Sequence, residues 1–422
     1  MQRYVHVPRA TPFARIRVQL PLGLLLACFL PFFVRIAFGG EPASNVITLT
    51  LIVSIAGLIL GYYFIRSMAV FPAIEVSFYV IPSFIASYLL CISFLIISRM
   101  DYSRSILFAS FVIAVIFYII IFGWLKRLGR KRIGVVPFGR TEELLDIAGI
   151  EWINLINPQD VYDSFDVLVA DFHADIPKDW ERVLADRSLQ GGIIFHVKQL
   201  GESLTGRVQL EHLSENNFGS LVPLQPYVKL KVLLDFLVAL AVLPVAIVVI
   251  GIVVVAVKLD SRGPAIFRQE RIGYRGRPFT VYKIRSMIDS ASESGSRRQS
   301  MTIQGDARIT RVGRFIRRTR LDELPQIFNI LRGEMSWIGP RPEALSLSEW
   351  YEAELPFYRY RHIVRPGLTG WAQVNQGHVA EIAEVREKLQ NDFFYIKFFS
   401  PWLDMLIVLK TIAAVLTGFG AR

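Results

Sequence analysis

Cysteine is almost missing from this sequence. The 422 residues hold two, Cys28 and Cys91, each inside an apolar run, which argues against a disulfide framework and against a thiolate metal site. Histidine is scarce as well. The six are scattered with no H-x-x-x-H pair or His/Cys cluster, so zinc chemistry is not indicated. Charged residues are only 20% of the chain against 53% hydrophobic, more apolar than an ordinary soluble protein. Acidic residues are the minority among the charges, 36 against 47 basic, for a net charge of +11. On so apolar a chain this excess points to anionic lipid headgroups and phosphate-bearing substrates ahead of nucleic acid, and no nucleic-acid partner is expected.

What the sequence has in quantity is long apolar runs. Four lie near Leu20–Phe38, Val46–Ile65, Phe71–Ile97 and Ile106–Trp124, and a helix crosses a bilayer in about 20 apolar residues. Arg3, Arg9, Arg15 and Arg17 precede the first run and the basic stretch Lys126–Arg132 follows the fourth. Both ends are therefore expected in the cytoplasm, although Arg99 and Arg104 count mildly against it. A cleaved signal peptide is the weaker reading, because three more runs follow the first. Inside the runs only Arg35 and Glu75 are charged, both near run ends, which gives a transporter little support. Residues 1–128 read as a four-helix transmembrane domain.

Residues 129–225 read as a small Rossmann-like α/β domain. "RIGVVPFG", "FDVLVADF" and "GGIIFHV" are expected strands. "TEELLDIAG", with Thr141 as cap and Gly149 as stop, and "DWERVLADR" are expected helices. The first turn lacks G-x-G-x-x-G, so dinucleotide binding has weak support and a structural or regulatory role is expected. His173 and His196 have no ligand partners in the sequence and read as ordinary polar residues.

The third part, 226–422, opens with a fifth apolar run, Lys231–Lys258. Basic residues flank both ends, Asp235 lies near its start and Pro244 in its middle. A re-entrant helix that bends back at Pro244 and keeps both ends on the cytoplasmic face accounts for all three; a fifth simple span is the alternative. Met287–Gly305 is Ser-rich and reads as a loop. The C-terminal helix from Pro401 lies either on the membrane surface or against the protein's own core.

The chemistry concentrates in "RRTRLDELPQIFNIL". Six arginines fall between Arg308 and Arg320, followed by the adjacent carboxylates Asp322 and Glu323. The arginines fit a lipid-facing helix side or a phosphate clamp. The carboxylates fit a helix start with Asp322 at or near the N-cap, where the macrodipole favours its ionised form, or a nucleophile for phosphorus. "IGPRPE" holds Arg341 between prolines. "RPGLTGWAQVN" offers Arg365, Thr369, Gln373 and Asn375 on a Gly- and Pro-punctuated loop. "FRQERIGYRGRPFTVYKIRSM" adds basic and aromatic groups, Lys283 and Arg285 among them.

These last three segments, with "TRLDELPQIFNILRGEMSWIGPRPE", resemble in order the signatures of bacterial polyprenyl-phosphate hexose-1-phosphate transferases, the monotopic phosphoglycosyl transferases. The likeness covers about Tyr227–Arg422, and the preceding spans and α/β domain resemble the large members of that family. The resemblance implies transfer of a sugar-1-phosphate, galactose or glucose by default, from a UDP-sugar to undecaprenyl phosphate with Mg2+, starting O-antigen, capsule or exopolysaccharide assembly. It implies Asp322 as the attacking carboxylate and Mg2+ contact, with Glu323 as base or acceptor activator. Arg317, Arg341 and Arg365 would surround phosphates, with Lys283, Arg285, Thr369, Gln373 and Asn375 as further substrate contacts. It places the catalytic domain on the cytoplasmic face of the inner membrane, among membrane lipids, and is compatible with a homo-oligomer. Two departures are visible: Val248 stands where many members have the helix-breaking proline, and Gln376 separates Asn375 from Gly377. The competing class is a non-catalytic membrane scaffold or regulator of polysaccharide assembly.

Overall fold

The computed structural model describes residues 15–39, 44–68, 77–127, 131–162, 165, 167–208, 223, 225–287, 308–376 and 381–417. The chain divides into two compact units, Met1–Gly206 and Arg207–Arg422.

The first unit begins with four apolar helices: α1 (Ile16–Phe38), α2 (Asn45–Met68), α3 (Ser77–Ile97) and α4 (Arg104–Arg127). They share one core that includes Cys28, Leu58, Tyr62, Phe84, Tyr88 and Tyr118. Helices with apolar exteriors gain little from further apolar burial, so close approach and internal hydrogen bonds hold them together. At Gly61 a Cβ would meet the Phe84 ring at 2.5 Å, and the Tyr62 hydroxyl donates to Gln19 Oε1 at 2.9 Å. The expected runs are seen as helices, except that Phe71–Val76 lies outside the described residues.

A parallel sheet follows: β1 (Lys131–Val135), β2 (Ile150–Asn154), β3 (Val167–Ala170) and β4 (Ile194–His196), in the order β2-β1-β3-β4. The helices α5 (Lys178–Leu189) and α6 (Val197–Thr205) accompany it. The helix expected from Thr141 is only a 3-10 turn, Arg140–Leu144. Leu144, Leu145 and Ile147 all pack on the sheet, and the chain must enter β2 at Ile150, which leaves no length for a full helix. β2 itself was not apparent in the sequence.

The fold also corrects the reading of the two histidines as isolated. His173 Nδ1 lies 2.7 Å from His196 Nε2, and Asp171 Oδ1 lies 3.4 Å from the latter. His196 Nδ1 accepts the Lys198 N–H at 3.0 Å. In a neutral ring the proton is then on Nε2, where a metal would need a lone pair. Asp171, His173 and His196 thus form one hydrogen-bonded cluster.

The second unit is built on α7 (Gln225–Asp260), 36 residues and roughly 54 Å long at 1.5 Å per residue. Pro244, where the bend is expected, lies inside a run that is helical from Gln225 to Asp260. Proline removes only one intrahelical hydrogen bond. Ala239, Leu243, Ala246 and Ile250, on both sides of it, belong to one core cluster with Val281, Ile327, Ile330 and Met335. One stripe is buried, namely Lys231, Asp235, Ala239, Ala246, Val253 and Val257. The opposite face exposes Leu233, Leu237, Ile247, Val248 and Ile252.

Against the buried stripe pack the antiparallel hairpin β5 (Ile266–Ile272) and β6 (Pro278–Ile284), then α8 (Arg311–Arg318) and α9 (Ile327–Leu331). The Ser-rich segment expected as a loop lies outside the described residues apart from Met287. The remaining elements are β7 (Ser336–Ile338), α10 (Leu345–Glu354), β8 (Gly367–Thr369), α11 (Trp371–Gln376), α12 (Ile382–Lys397) and α13 (Pro401–Thr417). β7 and β8 pair in parallel. Both ends of α7 are tied to this unit. Near its start Lys231 Nζ lies 2.8 Å from Asp404 Oδ2, and at its end Asp260 Oδ2 accepts the Val312 N–H at 3.2 Å. The C-terminal helix α13 buries Leu403, Leu406 and Ile407 and exposes Val408, Ile412 and Val415.

Candidate active site

The carboxylate pair sits on a 3-10 turn, Leu321–Gln326, between α8 and α9. Arg320 opens the turn with φ +56, a left-handed conformation that costs a non-glycine residue about 1–3 kcal/mol. That sharp start lets α8 run straight into the turn and sets the two carboxylates at the junction. Pro325 is the fifth residue of this 3-10 element and supplies no N–H to it. The far end closes at Gly333, φ +74: Glu334 N–H donates to Asn329 O at 3.0 Å and Gly333 N–H to Ile330 O at 2.9 Å. Asp322 is the second residue of the turn and is not its N-cap. Arg320 holds the cap position, and no side chain makes a capping bond.

The two acids have opposite environments. Glu323 is buried, with Oε1 accepting from Lys283 Nζ at 2.9 Å and from Arg341 Nη2 at 2.8 Å. Burial works to raise its pKa, but the Arg341 and Lys283 charges outweigh it and hold Glu323 well below the usual carboxylate range. Asp322 is partly exposed, and no described residue donates a hydrogen bond to it. Burial, then the Glu323 charge, push its pKa up to about 6, against the pull of Lys283, Arg341 and Arg317. The sequence expectation of a cap-stabilised, easily ionised Asp322 is therefore corrected. Desolvation and a like charge outweigh the helix start.

The cations are positioned by the fold. Lys283 comes from β6, and Arg317 from the last turn of α8. Arg341 follows β7, and its backbone carbonyl accepts from Arg361 Nη2 at 2.9 Å. Arg361 is fully buried and also bonds Asp392 at 2.8 Å and the Tyr358 hydroxyl at 2.7 Å. Nothing in its sequence context, "RYRHI", distinguished this buttress from the arginines around it.

Other sequence candidates have structural partners. Arg365 donates Nε to Gly333 O at 2.9 Å and lies over the Tyr274 ring, pinning the end of the acidic segment. Arg285 is buried and donates Nη2 to Ser261 O at 2.8 Å, closing the end of α7. Asn375 donates to Trp371 O and accepts from Lys410. Thr369 bonds Thr411 at 2.7 Å, and Gln373 donates to Leu368 O at 3.1 Å.

Thr369 and Gln373 also line a cavity of about 700 Å³ between α7 and α13, floored by Trp337 and Leu368 and reaching Arg320 and Glu323. A buried polar network of residues far apart in the chain ties these walls together. Asp404 pairs with Lys231 and accepts from the Tyr395 hydroxyl at 2.9 Å, while Asp235 accepts from Ser336 at 2.6 Å.

Residues 226–418 match the family model described as bacterial sugar transferase. The chain is 39% identical over 404 residues, 95% of each protein, to the UDP-N-acetylgalactosamine-undecaprenyl-phosphate N-acetylgalactosaminephosphotransferase of Aeromonas hydrophila. It is 46% identical over 166 residues to the UDP-glucose:undecaprenyl-phosphate glucose-1-phosphate transferase of Xanthomonas campestris pv. campestris, covering 39% of this chain and 34% of that one. The corresponding enzyme of Escherichia coli K12 is 41% identical over 180 residues, 42% of this chain and 38% of that one. Full-length likeness to one such enzyme, together with the match over the unit that carries the acidic pair, places this membrane protein in the bacterial sugar transferase family, the polyprenyl-phosphate hexose-1-phosphate transferases.

Proposed function

We propose that this chain moves a sugar-1-phosphate from a UDP-sugar to undecaprenyl phosphate on the cytoplasmic face of the bacterial inner membrane, releasing UMP and starting a surface polysaccharide. The observation that carries the reading is Asp322, a partly exposed carboxylate with no hydrogen-bond donor among the described residues, under the charges of Lys283, Arg341 and Arg317. A non-catalytic scaffold has no use for a partly exposed acid held beside three cations.

The chemistry runs in two displacements. An Asp322 oxygen attacks the β-phosphorus of the donor, the bond to the UMP oxygen breaks, and UMP leaves with the electron pair. An oxygen of undecaprenyl phosphate then attacks the aspartyl phosphosugar, and the bond to Asp322 breaks to restore the carboxylate. Every reactant is anionic, so the arginines and lysine lower the repulsion at each step. Mg2+ is commonly held by one or two carboxylates plus substrate phosphates, and Asp322 with the donor diphosphate fits that set; the ion would supply further charge screening. Glu323, ion-paired on one oxygen to both Lys283 and Arg341, is a poor proton acceptor near neutral pH. Its part is to position those two cations and to keep the pKa of Asp322 raised.

The expected donor sugar, galactose or glucose, widens to N-acetylgalactosamine, the sugar named for the Aeromonas relative. Residues 1–128 form the four-helix membrane domain in this reading. α7 stays with one leaflet, its exposed apolar face toward lipid. Support comes from its two ends, both tied to the same unit, and from a buried stripe that runs its length. The test is UMP release by the purified protein in nanodiscs from a panel of UDP-sugars. At least one donor should give lipid-dependent turnover that EDTA abolishes and Mg2+ restores. No turnover with any donor, or Asp322→Asn retaining full activity, would refute the proposal.

A further inference from the structure

The transferase reading leaves open where the isoprenoid chain of the acceptor goes, and the cavity between α7 and α13 has the shape and polarity for it. Its two ends differ. One reaches Arg320 and Glu323, next to Asp322, and the length away from them is walled mainly by apolar side chains such as Leu234 and Val238 from α7 and Val408 and Ile412 from α13, the wall's charged groups Lys231, Asp235 and Asp404 being paired with one another. The same four residues are 47%, 48%, 41% and 52% exposed, so the groove is continuous with the apolar outer face of α7 rather than sealed inside the protein. A ligand that enters from an apolar phase and carries one anionic head meets both conditions. A nucleotide sugar does not, because its base, ribose and hexose would leave their hydrogen-bonding groups against hydrocarbon.

We infer that this groove binds the phosphate-proximal isoprene units of the polyprenyl phosphate, with the phosphate at the Arg320–Glu323 end; the inference rests on the transferase reading above. The Lys231–Asp404 ion pair and the bond from Ser336 to Asp235 hold α7 against α13 and β7, so the groove walls are fixed before the lipid arrives. Its length is limited. At roughly 25–30 Å³ per carbon in a close-packed interior, a cavity of about 700 Å³ takes on the order of 25 carbons, or about five isoprene units. The remaining units of a longer chain stay in the bilayer and add little to recognition.

The experiment measures the KM for isoprenyl monophosphates of two, three, four, five, eight and eleven units, with the protein in nanodiscs of fixed composition and saturating donor. KM should fall by well over about tenfold between two and five units and change little from five to eleven. Leu234→Trp and Ile412→Trp, which fill the groove, should each raise the KM for the eleven-unit acceptor by about tenfold or more and flatten the length dependence. Val248→Trp, on the outer face of α7 where Val248 is 62% exposed, should do neither. A burst of UMP from the donor alone checks that each variant folds. If the wild type turns over but KM ignores chain length below five units, or if neither groove variant changes it, the groove holds a bilayer acyl chain and the inference is overturned. A wild type that releases no UMP from any donor overturns the transferase reading, and the groove assignment with it.

Discussion

Asp322→Asn should stabilise the protein while removing its chemistry. Burial and the neighbouring Glu323 raise the Asp322 pKa from 3.8 to about 6, so the folded protein binds this proton more tightly than the unfolded chain. For an acid, that sign means a penalty. It is nearly absent below pH 4, grows as pH rises through 6, and is complete at pH 7.5. The gap converts to about 3 kcal/mol at about 1.4 kcal/mol per pH unit, and partial exposure of the side chain reduces this to about 1–2 kcal/mol. Asparagine keeps the shape and removes the charge. At roughly 2–4 °C per kcal/mol for a unit of this size, the variant should melt about 2–8 °C higher at pH 7.5. The advantage should shrink steadily toward pH 4. Thermal unfolding of both proteins in one detergent with EDTA present, across that pH range, supplies the numbers. A variant that melts lower at pH 7.5, or an advantage independent of pH, would refute the reasoning about this site.

Three further outcomes follow from the same geometry. Glu323→Gln leaves Lys283 and Arg341 without their shared partner and should cost about 3–5 kcal/mol at neutral pH. It also removes a charge that raises Asp322, so the acid limb of kcat should move below pH 6; a limb that stays in place would contradict the coupling. Arg361→Lys cannot hold Asp392, Tyr358 and the Arg341 carbonyl together, so kcat should fall with little change in donor KM, and Arg361→Ala should lose several kcal/mol of stability. Gly367→Ala would put a Cβ 2.0 Å from Gly339 N; the β7–β8 pairing should fail, seen as loss of the folded protein in expression and melting assays.

The four apolar runs were legible because of their length, and β1, β3 and β4 because each is a short apolar run bounded by turn residues, whereas β2 was not. The acidic pair was legible because its flanking arginines and prolines are rare in combination. Three features were not. The helical run of α7 through Pro244 packs at Ala239 and Ala246 into one core cluster, which neither proline rules nor flanking charges report. The high pKa of Asp322 depends on how deeply the turn is buried and on Glu323 being charged, and both are tertiary facts. The Lys231–Asp404 pair joins residues from opposite ends of the catalytic unit, and no local spacing announces it. Arg285 and Asn375 show the converse. Asn375 stands in a segment that reads as a substrate loop but folds in part into α11, Arg285 directly follows β6, and both side chains hydrogen-bond within the fold.

The central claim is that Asp322 carries the sugar phosphate. The direct measurement is the mass of the peptide containing Asp322 after the protein is mixed with its UDP-sugar and Mg2+, without lipid acceptor, and quenched within one turnover. The account predicts a gain equal to one phosphosugar on Asp322, lost on adding undecaprenyl phosphate and absent from Asp322→Asn. UMP release at full rate with that peptide unmodified, or with the adduct on another residue, would contradict it.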